Sequence, residues 1–533
     1  MDSGYDNPVR LDDGSGNNCN VNLELNSTNT VSYNSINDSS PPTDKSSVYI
    51  VPSYAQTPVN GYANGCSGNK NNTSKTEKEK EAYANGMNGN AHEFQSISKK
   101  DYQEYDPHQN LNHSRQPTTY MDTMFHLLKA SLGTGILAMP NAFHNAGYVV
   151  GMIGTLFVGF LCTYNIHILL NTEYELCKRR KVPCMSYPET LQYAVEEGPP
   201  SLRRFSPYAK KIGNMFLVAY QIGTSAIYIV FIASNIKDVY SAYYHTDINI
   251  RVLMLYLFVP LVLICWIPNL KLLVPFSTIA NLVTALSFII IFFYIFSDIP
   301  SIQTREPVGT MKGIPLFFGT VLFAMEAIGV IMPLKNEMKK PKNFGSFFGV
   351  LNASMIPISL LYTFIGFFGY LKFGENTKGS ITLNLPEEDL LANLVRIFYS
   401  AAIYITYALS CYVCYEIVWI NGLQENFKDS SCKILWEYVC RTSIVLVTFI
   451  LAAAIPNLEL FISLVGAFCL SAMGMAFPAM AQILVFWCNR KETFGFALMV
   501  FKNVIIIMMA ILAFTIGIST TIVKFFADEP AKN

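Results

Sequence analysis

Phe125-His126-Leu127-Leu128-Lys129-Ala130-Ser131-Leu132-Gly133-Thr134-Gly135-Ile136-Leu137-Ala138-Met139-Pro140 is the stretch that decides how this chain folds. It is apolar enough to cross a bilayer, yet a Gly-Thr-Gly interrupts it at mid-depth. In hydrocarbon every backbone polar group must be satisfied within the protein, so an irregular turn at that depth survives only where it lines a cavity. Glycine suits such a turn because it has no Cβ to clash when the backbone leaves helical geometry. A second stretch, Glu326-Ala327-Ile328-Gly329-Val330-Ile331-Met332-Pro333, echoes Gly133 to Pro140 and closes on the same Met-Pro. Paired interruptions in two halves of a membrane chain mark the substrate site of secondary transporters, where freed N–H groups and a half-helix N-terminus hold an anionic group.

The rest of the composition agrees with a membrane chain. Of its 533 residues, 51% are hydrophobic and only 14% are charged, against about 25% charged in a soluble protein. Apolar runs of about 20 residues, the length a span needs, recur after residue 120. Net charge is zero, which favours no nucleic-acid partner. The start has no basic segment leading into a short apolar run, so insertion is expected to rely on the first span. Most of the 12 cysteines lie in apolar runs or in loops expected on the cytoplasmic side, none in a loop expected outside, and free thiols are expected. Cys411 and Cys414 form a CxxC pair without a second ligand pair, so neither a metal nor a cofactor is expected.

Residues 1–117 are rich in Asn, Ser, Gly, Tyr and Pro and lack apolar periodicity. They cannot bury enough apolar surface to offset chain entropy and read as a disordered cytoplasmic tail. Tyr33-Asn34-Ser35-Ile36 has the form of a tyrosine-based sorting signal, a four-residue pattern that also arises by chance; sorting or signalling partners of the tail follow from it. Residues 118–528 form the transmembrane domain, and 529–533 a short extracytoplasmic tail. Eleven spans are expected near 122–143, 148–170, 212–242, 252–268, 272–298, 313–334, 344–371, 390–421, 434–455, 458–488 and 496–525. The gaps after even-numbered spans carry about 17 Lys and Arg and the opposite side about seven, which places the N-terminus in the cytoplasm and the C-terminus outside or in a lumen. Asn26, Asn37, Asn71, Asn72 and Asn112 stand in glycosylation sequons, but on the tail they are expected to stay unmodified. Ser186 to Val195 reads as a short amphipathic helix on the cytoplasmic face.

His126 to Lys129, Gly133-Thr134-Gly135 and Asn145-Ala146-Gly147 together resemble the first span of the proton-coupled amino acid transporters, in the amino acid/auxin permease group. The likeness continues through Tyr228-Ile229-Val230-Phe231, Phe318-Gly319-Thr320, Glu326 to Gly329 and Pro333 to Lys339. It implies an all-α fold: a five-plus-five inverted repeat, with helices 1 and 6 broken, plus an eleventh span. It also implies symport of small neutral amino acids with protons at the plasma membrane or a lysosomal or late endosomal membrane. The sequence has no nucleophile–base constellation and no metal-ligand spacing, so no enzymatic activity is expected. Two departures stand out. Members commonly read Pro-Leu-Glu-Asn-Lys-Met after span 6, where Lys335 and Glu337 here exchange the charges. Span 8 has Ser410 to Glu416 where the family often has a Gln and a Pro.

The N–H groups of Gly133, Thr134 and Gly135, beside Ser131, suit a substrate carboxylate with help from the half-helix dipole; the competing reading is close packing by small residues. Glu326 sits near the middle of span 6, where a charge costs at least about 2.5–3.5 kcal/mol and is seldom idle. It is either a protonatable site or a carboxyl that caps a broken helix. His126 stands two turns before the Gly-Thr-Gly, and the resemblance places the proton-coupling histidine there; an interfacial histidine is the alternative. Lys129 snorkels. Phe323 would close over a small substrate, and Ser225 and Tyr228 would line the cavity from span 3, unless they are core. Competing with proton symport are a sodium-coupled or uncoupled carrier and an amino-acid-sensing receptor with little flux.

Overall fold

The computed structural model describes residues 105–110, 117–131, 133–267, 274–325, 328–427, 432–487 and 493–528. Most of the tail, its sorting motif and sequons, Glu326 and residues 529–533 lie outside them. Within the tail, Pro107–Gln109 makes one helical turn capped by the Asp106 side chain.

The described chain is helical, with a single isolated β-bridge between Thr118 and Met338. The first apolar stretch is broken into α1 (Tyr120–Ser131), α2 (Thr134–Leu137) and α3 (Met139–Ala146). Then follow α4 (Tyr148–Arg180), the short α5 (Tyr187–Glu197), α6 (Ser206–Tyr244), α7 (Ile250–Cys265) and α8 (Val274–Phe296). The second half holds α9 (Ile314–Met325), α10 (Ile328–Glu337), α11 (Val350–Phe373), α12 (Leu390–Tyr415), α13 (Lys433–Ala454), α14 (Leu458–Val465), α15 (Phe477–Val485) and α16 (Thr493–Asp528). Among the described residues, nine helical stretches are long and apolar enough to cross a membrane, and α7 is a shorter apolar helix.

Local chemistry sets the ends. Thr119 and Asp122 bond each other reciprocally at the start of α1, the Thr119 hydroxyl donating to Asp122 Oδ2 at 2.7 Å. Ser186 and Glu189 do the same at α5, so the amphipathic helix expected there is present and capped. Asp389 caps α12 by accepting from the Leu391 N–H at 2.9 Å. Between α3 and α4 the chain turns through Gly147 at φ 80°, where a Cβ would lie 2.7 Å from the Pro307 carbonyl oxygen. Only glycine fits that corner.

The helices differ in how deeply they sit. The helical stretch Leu458–Val485 is 78% buried along its most apolar window, against 17% for Phe494–Ala527. α9 and the π-helical Gly466–Ala476 between α14 and α15 cross at the centre. Around them α6 packs along α12 and α5, and α11 packs on α4, α3 and α1. The crossing is close enough that a Cβ on Gly466 would overlap the Gly319 carbonyl.

Gly466→Val should therefore push α9 from its neighbour and destabilise the fold by about 1–3 kcal/mol or more, the usual scale of overpacking. Gly495→Ala, which meets nothing within 4 Å, should be neutral. Thermal melting in detergent, followed by size-exclusion chromatography, separates the two.

Candidate functional site

The break in the first stretch is held by side chains from two other helices. α1 stops at Ser131, and Gly133 is extended (φ −100°, ψ −154°) before α2 begins at Thr134. The Ser131 hydroxyl is spent on its own helix, donating to the Leu127 carbonyl at 3.1 Å. The Ser131 carbonyl instead accepts from the Tyr362 hydroxyl of α11 and, at 2.9 Å, from the Gly133 N–H, so of the three amides expected to face a substrate this one is already bonded. The Gly133 carbonyl accepts from the Tyr399 hydroxyl of α12 at 3.4 Å. Two tyrosines thus satisfy carbonyls that leaving the helix has freed. No side chain caps α2 at Gly133, and the first N–H groups of a helix have no partner within it.

The two glycines differ. A Cβ on Gly135 would lie 2.6 Å from Ala324 Cα, so this glycine brings the break against the end of α9. A Cβ on Gly133 would meet nothing within 4 Å. The sequence led us to expect a backbone clash at either position; it exists only at Gly135, because Gly133 faces open space. Thr134 is buried.

The other expected residues fall into three groups. Tyr228 is half-buried on α6, and beyond it Phe231 and Phe288 flank the Tyr399 ring at 5.7 and 6.0 Å. Ser225 is buried and donates to Ser410 Oγ at 2.9 Å, and Ser410 Oγ lies 3.1 Å from Gln221 Oε1; its hydroxyl stitches α6 to α12. Phe323 is buried where α9 meets Gly466. His126 is half-buried on α1, one turn beyond Asp122, and Lys129 is exposed. Glu326 lies outside the described residues.

Both ends of the broken stretch are tied. At one, Glu459 of α14 accepts from Asn145 Nδ2 at 3.0 Å and pairs with Lys524 of α16 at 2.7 Å, with Asn141 Nδ2 at 3.4 Å. At the other, the Thr118 N–H donates to the Glu337 carbonyl at 2.9 Å, and the Lys339 N–H to the Thr118 carbonyl at 3.0 Å. Near it, Lys335 of α10 forms an ion pair with Glu173 of α4, their side chains 6% and 1% exposed. Glu173 also accepts from the Met185 N–H at 3.4 Å and from Cys177 Sγ at 3.5 Å. The His108 ring stacks on Tyr174 at 4.8 Å, and burial, then Lys335, holds the imidazole below its ordinary pKa.

Sequence reasoning missed Tyr362, Tyr399 and Glu173. It counted Lys335 among solvated loop charges, whereas the lysine is buried and its sign is matched by Glu173. The exchange of charges at Lys335 and Glu337 thereby has a structural partner. Arg441 and Glu437, unassigned from sequence, pair at 3.1 Å, with the Arg441 guanidinium 3.9 Å from the Tyr415 ring centre. Among the described residues, Cys177, Cys265, Cys411, Cys414, Cys440 and Cys469 are free thiols.

Residues 116–523 match the family model described as transmembrane amino acid transporter protein. The chain is 39% identical over 412 residues to the proton-coupled amino acid transporter-like protein pathetic of Drosophila melanogaster, covering 77% of this chain and 86% of that protein. It is 24% identical over 416 residues to the probable amino acid transporter skat-1 of Caenorhabditis elegans, covering 74% and 88%. Among solved structures it is similar to a nucleobase–cation-symport-1 family transporter in a closed conformation, at TM-score 0.43 and 11% identity over 78% of this chain and 94% of that one.

Breaking a buried ion pair by removing one partner costs about 3–5 kcal/mol. Glu173→Lys and Lys335→Glu should each destabilise the protein on that scale, and the double exchange should recover most of the loss. A double-mutant cycle of melting temperatures checks this; no recovery in the double variant would mean the pair is incidental.

Proposed function

Because the chain belongs to the transmembrane amino acid transporter family, we propose that it carries small neutral amino acids across a membrane by symport with protons. The observation that carries this reading is the break at Ser131–Thr134: its carbonyls are bonded to Tyr362 and Tyr399, its amides lack a side-chain cap, and Gly133 borders open space. Free amides at a half-helix N-terminus suit the carboxylate that every amino acid has in common. In this reading Tyr228 and Phe323, with Ser131, Thr134, Gly135 and Ser225, line a small and largely apolar substrate space. That favours side chains no larger than those of alanine, glycine or proline.

Coupling is assigned to Glu326 and His126. The Drosophila relative is named as proton-coupled amino acid transporter-like, which supports protons over sodium. The nine long stretches, with α7 and the broken α1–α3, support eleven spans. The Met-Pro echo supports the inverted repeat. The charge bias of the loops supports a cytoplasmic N-terminus and an extracytoplasmic C-terminus, in the plasma membrane or a lysosomal or late endosomal membrane. The tail would then meet sorting or signalling partners in the cytosol.

Substitutions at the break test where the amino acid sits. Gly135→Val should abolish alanine binding by driving the break away from Ala324, and should lower stability. Gly133→Ala should leave stability within about 0.5 kcal/mol yet weaken binding, because the added methyl enters the substrate's space. Binding of radiolabelled alanine beside thermal melts reads both; unchanged binding in Gly135→Val would move the site elsewhere.

Coupling is tested in proteoliposomes. Two pH units carry about 2.7 kcal/mol, enough for roughly hundredfold accumulation by one proton. The wild type should concentrate alanine towards the alkaline side. Glu326→Gln should exchange alanine but accumulate it no more than about onefold, since a fixed neutral side chain carries no proton. His126→Ala should slow net uptake more than exchange. Wild-type accumulation in both variants would place the coupling group elsewhere.

A further inference from the structure

Between α4 and α11 runs an open surface groove of about 570 Å³, within the about 300–1,000 Å³ typical of small-molecule sites. Its walls are apolar and exposed: Leu156 and Phe160 on α4 are 42% and 69% accessible, Ile356 and Leu360 on α11 60% and 56%. Its floor is the close approach of the two helices, where a Cβ on Gly159 would run into the Ser359 side chain. The residues lining it include no Lys or Arg.

One end is polar. His167 Nε2 lies 2.8 Å from Asn352 Oδ1, and Asn352 Nδ2 donates to the Phe347 carbonyl at 2.9 Å. That second bond fixes which way the amide points. Oδ1 can only accept, so Nε2 must carry a proton, and in the neutral imidazole Nδ1 is then the acceptor. Nδ1 has no partner among the described residues. The groove therefore offers one neutral hydrogen-bond acceptor at the end of an apolar slot.

The depth of that acceptor narrows the occupant. On α4 the accessible face changes from Leu156 and Phe160 to Tyr164, His167 and Asn171, and Asn352 is in the first turn of α11. His167 thus stands where the membrane-facing surface turns polar, the level of the interface. From Leu156 to His167 is about 16 Å at 1.5 Å per residue, a length that suits a rigid fused-ring body lying along the helix. A phospholipid headgroup would bring a phosphate to a wall without a cation. Lys502, which lies over the Tyr164 ring at 5.0 Å, is held by Gln482 Oε1 at 3.1 Å.

We propose that the α4–α11 groove binds a membrane sterol, its single hydroxyl donating to His167 Nδ1 and its ring system lying against Phe160, Ile356 and Leu360. The site is separate from the broken first stretch and does not depend on the identity of the transported solute.

The test uses the full chain in phosphatidylcholine liposomes with three photoactivatable probes: cholesterol, its 3-methyl ether, and a phosphatidylcholine with the reactive group on its acyl chain. The sterol should label peptides of α4 and α11, in competition with unlabelled cholesterol. The methyl ether cannot donate and should label them about fivefold less, the worth of one net hydrogen bond. His167→Phe should lose the same preference. If the ether and the phospholipid label these peptides as well as the sterol does, the groove holds annular lipid only and the proposal fails. Equal labelling of the wild type and His167→Phe by the sterol overturns it too, and the ether comparison needs no variant at all.

Discussion

A helix that stops inside a bilayer leaves carbonyl and amide groups that water cannot reach, and here the carbonyl half of that demand is met by phenols from distant helices. Tyr362 bonds the Ser131 carbonyl and Tyr399 the Gly133 carbonyl. Each uncompensated group in hydrocarbon would cost several kcal/mol, so α11 and α12 must be in place before α1 can end where it does. The contact of Gly135 with Ala324 adds α9 to the same junction. Of the amides, the Gly133 N–H turns back to the Ser131 carbonyl at 2.9 Å, and no side chain caps the start of α2. The break is thus structurally supported on one side and chemically open on the other.

The broken stretch is also anchored where it leaves the membrane. Glu459 gathers Asn141 and Asn145 from α3 and Lys524 from α16, while Thr118 pairs with the backbone on either side of Met338. The Lys335–Glu173 pair lies beneath the latter contact and is fully desolvated. A buried pair of this kind adds little over an apolar substitute, but loss of one partner leaves a stranded charge. It acts as a constraint on where α10 sits against α4.

Much of this architecture was legible in the sequence because membrane insertion writes in long apolar runs and in loop charges. The Gly-Thr-Gly break, the amphipathic α5 and the family all followed from local pattern, while the Ser186–Glu189 cap of α5 emerged with the structure. What stayed hidden depends on contacts between residues far apart in the chain. Nothing local distinguishes Tyr362 and Tyr399 from other tyrosines in apolar helices. Glu173 reads as one charge near a helix end, and Lys335 as one of a run of loop lysines, until α4 and α10 are brought together. Gly133 and Gly135 read alike in sequence; only Ala324 on one side and open space on the other tell them apart.

The account rests on an amino acid carboxylate at the freed amides of the first break, and one spectroscopic distance tests that directly. Alanine labelled with ¹³C at its carboxyl would be bound to protein carrying ¹⁵N at glycine and threonine, and the dipolar coupling measured by solid-state NMR in liposomes. A carboxylate accepting these N–H groups puts its carbon within about 4 Å of the amide nitrogens of Thr134 or Gly135, the Gly133 N–H being bonded to the Ser131 carbonyl. Strong dephasing that disappears in Gly135→Val is the predicted result. Bound alanine with no coupling to any labelled amide would contradict the account.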